Sequence, residues 1–353
     1  MRMPVSAVDL FCGAGGLTCG LQRAGVRVLA GIDLDNNCRY AFEHNNHVHF
    51  VETPIQDVTS EQIDAFYPEG HIKVLVGCAP CQPFSTHSNK MKKLKGHIDD
   101  RWFLLNHFSR LIRGMHPDVV SMENVPQLSK QIIFQEFLDT LHEEGYKPNW
   151  TIVHCPDYGI PQSRNRLVLL ASQYGEIHLL PPTTAQNAYL TVRDAIGGMP
   201  PLRAGESNAF DPLHKSSTLT PLNLRRIRQS VPGGTWRDWD EALLSECHRK
   251  VTGKTYPSVY ARMQWDEPAP TITTEFYNYG TGRFGHPEQD RALSLREGAI
   301  LQTFPPEYVF CEGTELPFRK IGKMIGNAVP VRLGEIIGIS ILRHLDEMGI
   351  DYE

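Results

Sequence analysis

The feature that most constrains this chain is the short apolar run Ile72-Lys73-Val74-Leu75-Val76, which opens into Gly77-Cys78-Ala79-Pro80-Cys81-Gln82-Pro83-Phe84-Ser85. A β-branched run of this length reads as a buried strand of a parallel sheet. Neither proline can continue the strand, and each restricts the residue before it. A rigid loop therefore leaves a strand end with Cys81 between two prolines. In open α/β sheets, ligands bind outside the carboxyl ends of the strands. A thiol displayed there is a candidate nucleophile.

Other roles for the thiols compete. A free cysteine is most often a small buried hydrophobe, and Cys12, Cys19, Cys38, Cys155, Cys247 and Cys311 are given no role. Cys78 and Cys81 form a C-x-x-C, the pattern of a redox pair. A zinc site lacks a second C-x-x-C to complete it, and no metal is expected. Eight cysteines among 353 residues, in a chain without a secretory leader, argue for reduced thiols in an intracellular, cytoplasmic protein. No apolar run approaches a membrane span, so no membrane association is expected. The net charge of -5 gives no overall nucleic-acid signal, so a polyanion would have to meet a local basic patch.

Along the chain, Val5 to Phe11 reads as the first strand, Cys12-Gly13-Ala14-Gly15-Gly16 as a glycine loop, and Leu17 to Ala24 as the helix after it. Thr18 stands where a third glycine would complete G-x-G-x-x-G, which argues against a pyrophosphate site. Val26 to Ile32 is the second strand and ends at Asp33, an acid placed to accept from ribose hydroxyls. Asp35 is better placed than Asp33 to cap the helix starting near Asn36. Asp57 either meets an adenine amino group or ends a strand. Lys90-Met91-Lys92-Lys93-Leu94-Lys95-Gly96-His97 is a basic loop. Arg101 to Arg113 and Ile132 to His142 show helical periodicity. Pro117 to Met122 is a strand that delivers Glu123-Asn124-Val125 to the same sheet edge as Cys81. Further strands are expected over 150–155 and 166–171. In Gly159 to Arg166, alternation puts Arg164 and Arg166 on one face of an extended segment. Beyond about residue 173 the rhythm changes to proline clusters, paired glycines and scattered aromatics, which reads as a second, irregular, β-rich domain. Arg225-Arg226-Ile227-Arg228 is a basic cluster within it. An apolar helix from Val331 to Leu345 follows Gly326-Asn327-Ala328-Val329-Pro330.

Taken together, these segments resemble the cytosine-C5 DNA methyltransferases. Asp9-Leu10-Phe11-Cys12-Gly13-Ala14-Gly15-Gly16, Pro80 to Ser85, Glu123-Asn124-Val125, Gln162-Ser163-Arg164-Asn165-Arg166, Arg296-Glu297 with Leu301-Gln302-Thr303-Phe304-Pro305, and Gly326 to Pro330 follow the family's motifs in the family's order. The resemblance implies a Rossmann-like α/β methyltransferase domain made of 1–172 and 320–353, with a smaller target-recognition domain over 173–319. It implies S-adenosylmethionine as cofactor, held by Phe11, Gly13, Ala14, Gly15, Gly16, Asp33, Leu34, Asp57, Val58, Pro80, Leu104, Asn327 and Ala328. Leu34 departs from the aromatic that some members place beside the adenine. Cys81 would add to C6 of a flipped-out cytosine, Glu123 would hold N3 and the N4 amino group, and Arg166, supported by Arg164, would hold O2. Duplex DNA is the implied substrate, with a cognate restriction endonuclease as a possible companion and a monomer as the working state. Expected DNA contacts are Ser85, Lys90, Lys92, Lys93, Lys95, Arg225, Arg226, Arg228, Thr273 and Thr274. A tRNA cytosine methyltransferase, a catalytically silent binding protein and a C-x-x-C redox protein remain as alternatives at this point.

Overall fold

A computed structural model describes residues 2–80, 104–250, 257–313 and 317–353. The chain forms two compact units, one of Met1–Tyr158, Asn165–Thr183 and Val329–Glu353, the other of Gly159–Arg164 and Thr184–Ala328. The first unit carries β1 (Val5–Leu10), β2 (Arg27–Asp33), β3 (His49–Glu52), β4 (Ile72–Gly77), β5 (Val119–Asn124) and β6 (Asn149–His154). After β7 (Gln162–Ser163), which belongs to the second unit, β8 (Asn165–Ser172) completes a sheet of order β3-β2-β1-β4-β5-β8-β6. Strands β1 to β5 pair in parallel, and β8 runs antiparallel to both β5 and β6. β1 and β5 are buried along their whole length, as expected where helices cover both faces of a sheet.

The topology decides where a ligand can sit. From β1 the chain moves outward to β2 and β3, then crosses to the other side for β4 and β5. The switch lies between β1 and β4, the position at which doubly wound sheets open a crevice. Register then aligns the strand ends: Leu10 stands beside Gly77, and Gly77 beside Met122. An added Cβ at Gly77 would come within 3.0 Å of the Leu10 carbonyl, so glycine permits that close approach.

Helix α1 (Gly16–Ala24) packs on the C-terminal helix Val331–Glu347 through small residues. A Cβ on Gly20 would lie 2.3 Å from the Val331 carbonyl oxygen, one on Gly334 would lie 2.9 Å from the Leu17 carbonyl, and one on Gly338 would meet Ala24. This backbone-to-backbone contact joins the last residues to the first unit. The helical run Phe318–Glu347 does reach the hydropathy of a membrane span, contrary to the expectation from sequence, but 72% of its most apolar window is buried in the fold.

The unit boundaries differ from those expected, for local reasons. Residues 173–183 stay with the first unit because Leu180 N–H donates to Ser340 Oγ and Thr183 N–H to the Asp157 carbonyl. Helix Phe318–Asn327 joins the second unit, where Gly322 abuts the Tyr277 ring and Gly326 lies against the Thr273–Thr274 backbone with no room for a side chain. The second unit is irregular, as expected, but not β-rich. Among its described residues, regular pairing is limited to β7 against β9 (Ala269–Pro270) and isolated bridges. Its order comes from an aromatic cluster of Trp236, Trp239 and Tyr279 around Ile227, and from buried ion pairs. Glu297 accepts from both terminal nitrogens of Arg291 at 2.7 Å and from the Ser294 N–H, closing a capping box on helix Leu295–Leu301. Burial alone would raise the Glu297 carboxyl. The Arg291 hydrogen bonds and charge, with His286 and the Ser294 N–H, outweigh it and bring the group down to about 2. His286 Nδ1 accepts from the Glu288 and Gln289 N–H groups, and burial depresses this imidazole to about 4.

Two outcomes follow from this packing. Gly20→Val should lower the free energy of unfolding by about 3 kcal/mol, measured by chemical denaturation, because backbone rather than a movable side chain occupies the space. Stability should also fall with acid. His286 and Glu297 both have depressed folded values, so their contributions are complete above the unfolded values of 6.5 and 4.5 and are lost as pH drops toward 4 and 2. Thermal melting of His286→Asn, which keeps an acceptor but cannot titrate, should lose the pH dependence between 6.5 and 4.

Candidate active site at the carboxyl edge of the sheet

Glu123, the penultimate residue of β5, is 2% exposed. Both its oxygens face named groups within the first unit. Arg166, at the start of β8, brings Nε to 2.8 Å from Oε1, close enough for an ion pair though out of line for a hydrogen bond. Its terminal nitrogen donates to the Asn165 carbonyl at 2.7 Å. Cys78, directly after β4, donates its thiol proton to Oε2 at 2.7 Å. The same loop root is held twice more, by Cys78 N–H on the Leu10 carbonyl and by Asn124 Nδ2–H on the Ala79 carbonyl at 3.1 Å. Neither Cys78 nor Asn124 stood among the site residues expected from sequence. A polar side chain immediately flanking the loop was the available signal.

The glycine loop after β1 forms the second half of the edge. Phe11, Gly13 and Gly15 all take positive φ, and no heavy atom lies within 4 Å of a Cβ built on Gly13. Gly15 caps α1 without a side-chain hydrogen bond, so no side chain of the cap serves the first-turn amides. Asp33 Oδ2 accepts from Gly13 N–H at 2.9 Å, and Oδ1 accepts from Asp35 N–H at 2.8 Å. Burial raises the Asp33 carboxyl, opposed by those two amides. Each oxygen keeps further lone-pair capacity. Asp35, as expected, caps the following turn through Asn37 N–H. Beneath the loop lies Asp9, which is buried and accepts from Thr18 Oγ1 at 2.7 Å. Burial, the Asp33 charge adding, pushes it up to about 7. Asp9 was not among the expected site residues, although a carboxylate inside a buried strand is itself a sequence signal. Leu34 is 65% exposed beside Asp33. Asp57 is exposed in the turn Ile55–Asp57 and does not end a strand, whereas Val58 is in the core. Pro80 is exposed and Leu104 packs against the core.

Arg164 and Arg166 do not serve one face. Arg164, in the second unit, is 3% exposed and donates to the carbonyls of Ile272 and Ala328. Gln162 is fully buried beside it in sequence. Its amide donates to Leu301 O and Gln302 Oε1, and its carbonyl accepts from Ile272 N–H at 2.8 Å. The two side chains thus grip both backbone groups of Ile272, the residue before Thr273 and Thr274. Thr273 is exposed and Thr274 half-buried, in a turn and not in a strand. Asn327 is exposed at the end of its helix, and Ala328 is half-buried.

The basic cluster divides. Arg226 is buried, donates to Leu243 O, Asn223 Oδ1 and Ser245 Oγ, and lies over the rings of Trp239 and Tyr260. It is a core residue, so the expected phosphate contact is corrected. Arg225 is exposed, and Arg228 is exposed with an ion pair to Asp290 at 3.3 Å. Cys81, Ser85, Lys90, Lys92, Lys93 and Lys95 lie outside the described residues. Among the described residues no group of three or more His, Cys, Asp or Glu side chains could hold a metal ion.

Comparison with known proteins adds to this geometry. The family model for C-5 cytosine-specific DNA methylase matches residues 5–343. The Type II methylase M.HgiDII of Herpetosiphon aurantiacus is 51% identical over 97% of this chain and 96% of its own. The Type II methyltransferase M.Eco47II of Escherichia coli is 31% identical over 97% of this chain and 80% of its own. Among solved structures, a prophage-encoded Escherichia coli protein described as a DNA modification methyltransferase superposes with a TM-score of 0.73 at 20% identity, covering 97% of this chain and 99% of that one. The S. pombe Dnmt2 methyltransferase follows the same fold with a TM-score of 0.60 at 17% identity, over 98% of this chain and 99% of that one. A doubly wound sheet with a buried glutamate and an arginine at its carboxyl edge, matched along nearly its whole length, belongs to the C-5 cytosine-specific DNA methylase family.

Proposed function

We propose that Glu123, Arg166 and Cys81 form the methylation centre of a DNA cytosine-C5 methyltransferase, and that the glycine loop with Asp33 holds its cofactor. The observation that carries this reading is Glu123, buried at the strand edge with Arg166 at one oxygen and the root of the Cys81 loop at the other. S-adenosylmethionine, when bound, supplies the methyl group. The residues present fit it. Open space before Gly13 and an α1 N-terminus without a side-chain cap suit an anionic carboxylate, Asp33 has lone pairs left for ribose hydroxyls, and exposed Leu34 offers an apolar face for adenine.

Cytosine C5 is a poor nucleophile. Addition of the Cys81 thiolate at C6 moves electron density toward C5, which can then accept a methyl group. Glu123 supplies a proton to N3 as that density builds and accepts from the N4 amino group. Arg166 donates to O2 and orients the ring. Loss of the C5 proton to a base, which we assign to water, then expels Cys81 as its thiolate, and N3 returns its proton to Glu123. A base cannot be reached in this way inside a duplex, so the target is flipped out at a cost of a few kcal/mol. Lys90, Lys92, Lys93 and Lys95, with Arg225 and Arg228, neutralise phosphates in this reading, Ser85 contacts the DNA, and Thr273 with Thr274 reaches base edges. The second unit reads the sequence. The enzyme works inside the cell as a monomer on duplex DNA, paired with a restriction endonuclease of the same site.

Cys81→Ser should abolish turnover while duplex and cofactor still bind, because an alcohol is a far weaker nucleophile than a thiolate. Duplexes carrying 5-fluorocytosine should trap the wild type through Cys81, since fluorine does not leave as a proton does. Near wild-type methylation by Cys81→Ser, followed with labelled methyl donor, would overturn the assignment. Asp33→Ala should weaken S-adenosylmethionine binding by about 1–3 kcal/mol in calorimetry. Unchanged affinity in the folded variant would remove Asp33 from the cofactor site.

A further inference from the structure

We infer that Cys78 is a positioning residue for the reaction: its thiol holds the Glu123 carboxylate in the orientation that receives the cytosine ring. The inference rests on the reading of Glu123 as the base-holding group, and adds a part that reading does not contain. Three observations carry it, all inside the first unit.

The first is the contact itself. Cys78 Sγ donates to Glu123 Oε2 at 2.7 Å, while Arg166 Nε stands 2.8 Å from Oε1. A carboxylate touched at one oxygen can still rotate about its last torsion, which is broad in glutamate. Touched at both, its plane is fixed. The second is that Oε1 is buried without a hydrogen bond aligned on it. An oxygen left in that state carries a desolvation cost unless a donor arrives. The clamp on Oε2 therefore leaves the other oxygen as the one that meets the N3 and N4 edge of the base. The third is that the thiol is not needed to hold the loop root. Gly77 is packed against Leu10 and Phe108, Cys78 N–H donates to the Leu10 carbonyl, and Asn124 holds the Ala79 carbonyl. These ties are made by backbone groups and by Asn124, so they survive truncation of the Cys78 side chain at Cβ.

A hydroxyl can replace the thiol as donor, and a methyl group cannot. In the full-length enzyme acting on duplex DNA, Cys78→Ala should lower kcat by about tenfold or more, the consequence of losing one positioning hydrogen bond. Its affinity for S-adenosylmethionine and for duplex should stay at wild-type values, and its melting temperature should fall by no more than about 4 °C, the cost of one buried oxygen left without a donor. Covalent trapping by 5-fluorocytosine duplex should slow in parallel, since the loss precedes methyl transfer. Cys78→Ser should restore kcat to within about threefold. The inference is overturned if Cys78→Ala turns over like wild type, or if Cys78→Ser is as impaired as Cys78→Ala at equal stability. Glu123→Gln, assayed alongside, separates the two levels. Activity retained in Glu123→Gln defeats the parent reading, whereas an inactive Glu123→Gln with a fully active Cys78→Ala defeats only the role of Cys78.

Discussion

The parallel register of β1, β4 and β5 is the constraint on which the rest of this molecule depends. Because Leu10, Gly77 and Met122 lie side by side, the loops leaving three different strands emerge at one edge. The glycine loop, the Cys78–Ala79 root and Glu123 are neighbours for that reason alone, although more than a hundred residues separate the first from the last. A slip of one residue in any pair would turn its side chains to the opposite face. At Gly77 an added Cβ would stand 3.0 Å from the Leu10 carbonyl oxygen, a tighter contact than side chains ordinarily make. The antiparallel insertion of β8 next to β5 adds the last component. It pairs Asn124 with Leu167, which brings Arg166 to Glu123.

The glutamine and first arginine of the Gln162-Ser163-Arg164-Asn165-Arg166 segment work differently from its last arginine. Arg166 faces the Glu123 carboxylate, but Gln162 and Arg164 spend their hydrogen bonds on backbone groups and on the Gln302 side chain. Together they satisfy the N–H and carbonyl of Ile272, and Arg164 also holds Ala328. Glycines at 322 and 326 let a helix lie directly on the segment that follows. Thr273 and Thr274 are thus held by buried polar contacts on a segment that has almost no regular secondary structure of its own. Buried polar contacts of this kind narrow the conformations open to the segment, because losing one would leave a buried group without its partner. The chain passes from one unit to the other between Arg164 and Asn165, so a five-residue motif serves both.

Much of the first unit is legible in the sequence because its signals are local. Strand ends fall within a residue or two of the glycines, prolines and acids that mark them, and Asp35 caps the turn assigned to it. What escaped depends on tertiary contacts. Arg226 looks like part of a surface cluster, and only the rings of Trp239 and Tyr260 and the Leu243 carbonyl make it a core residue. Arg164 alternates with Arg166 in sequence, yet buried carbonyls claim it. The second unit's prolines and aromatics suggest strands, but its cohesion comes from side-chain networks such as Arg291 with Glu297, for which periodicity offers no sign. Cys78 is hidden for the opposite reason. It sits in a motif so dominated by Cys81 that its own proton donation to a residue 45 positions away is invisible without coordinates.

The central claim is that the carboxyl edge of this sheet holds a cytosine between Glu123 and the Cys81 loop. A crystal structure of the enzyme trapped on a 5-fluorocytosine duplex with S-adenosylmethionine tests it most directly. The account predicts a bond from Cys81 Sγ to C6 of an extruded base, with a Glu123 oxygen within about 3 Å of N3 or the N4 amino group. A base bonded to another cysteine, or one whose N3 edge is turned away from Glu123, would contradict it.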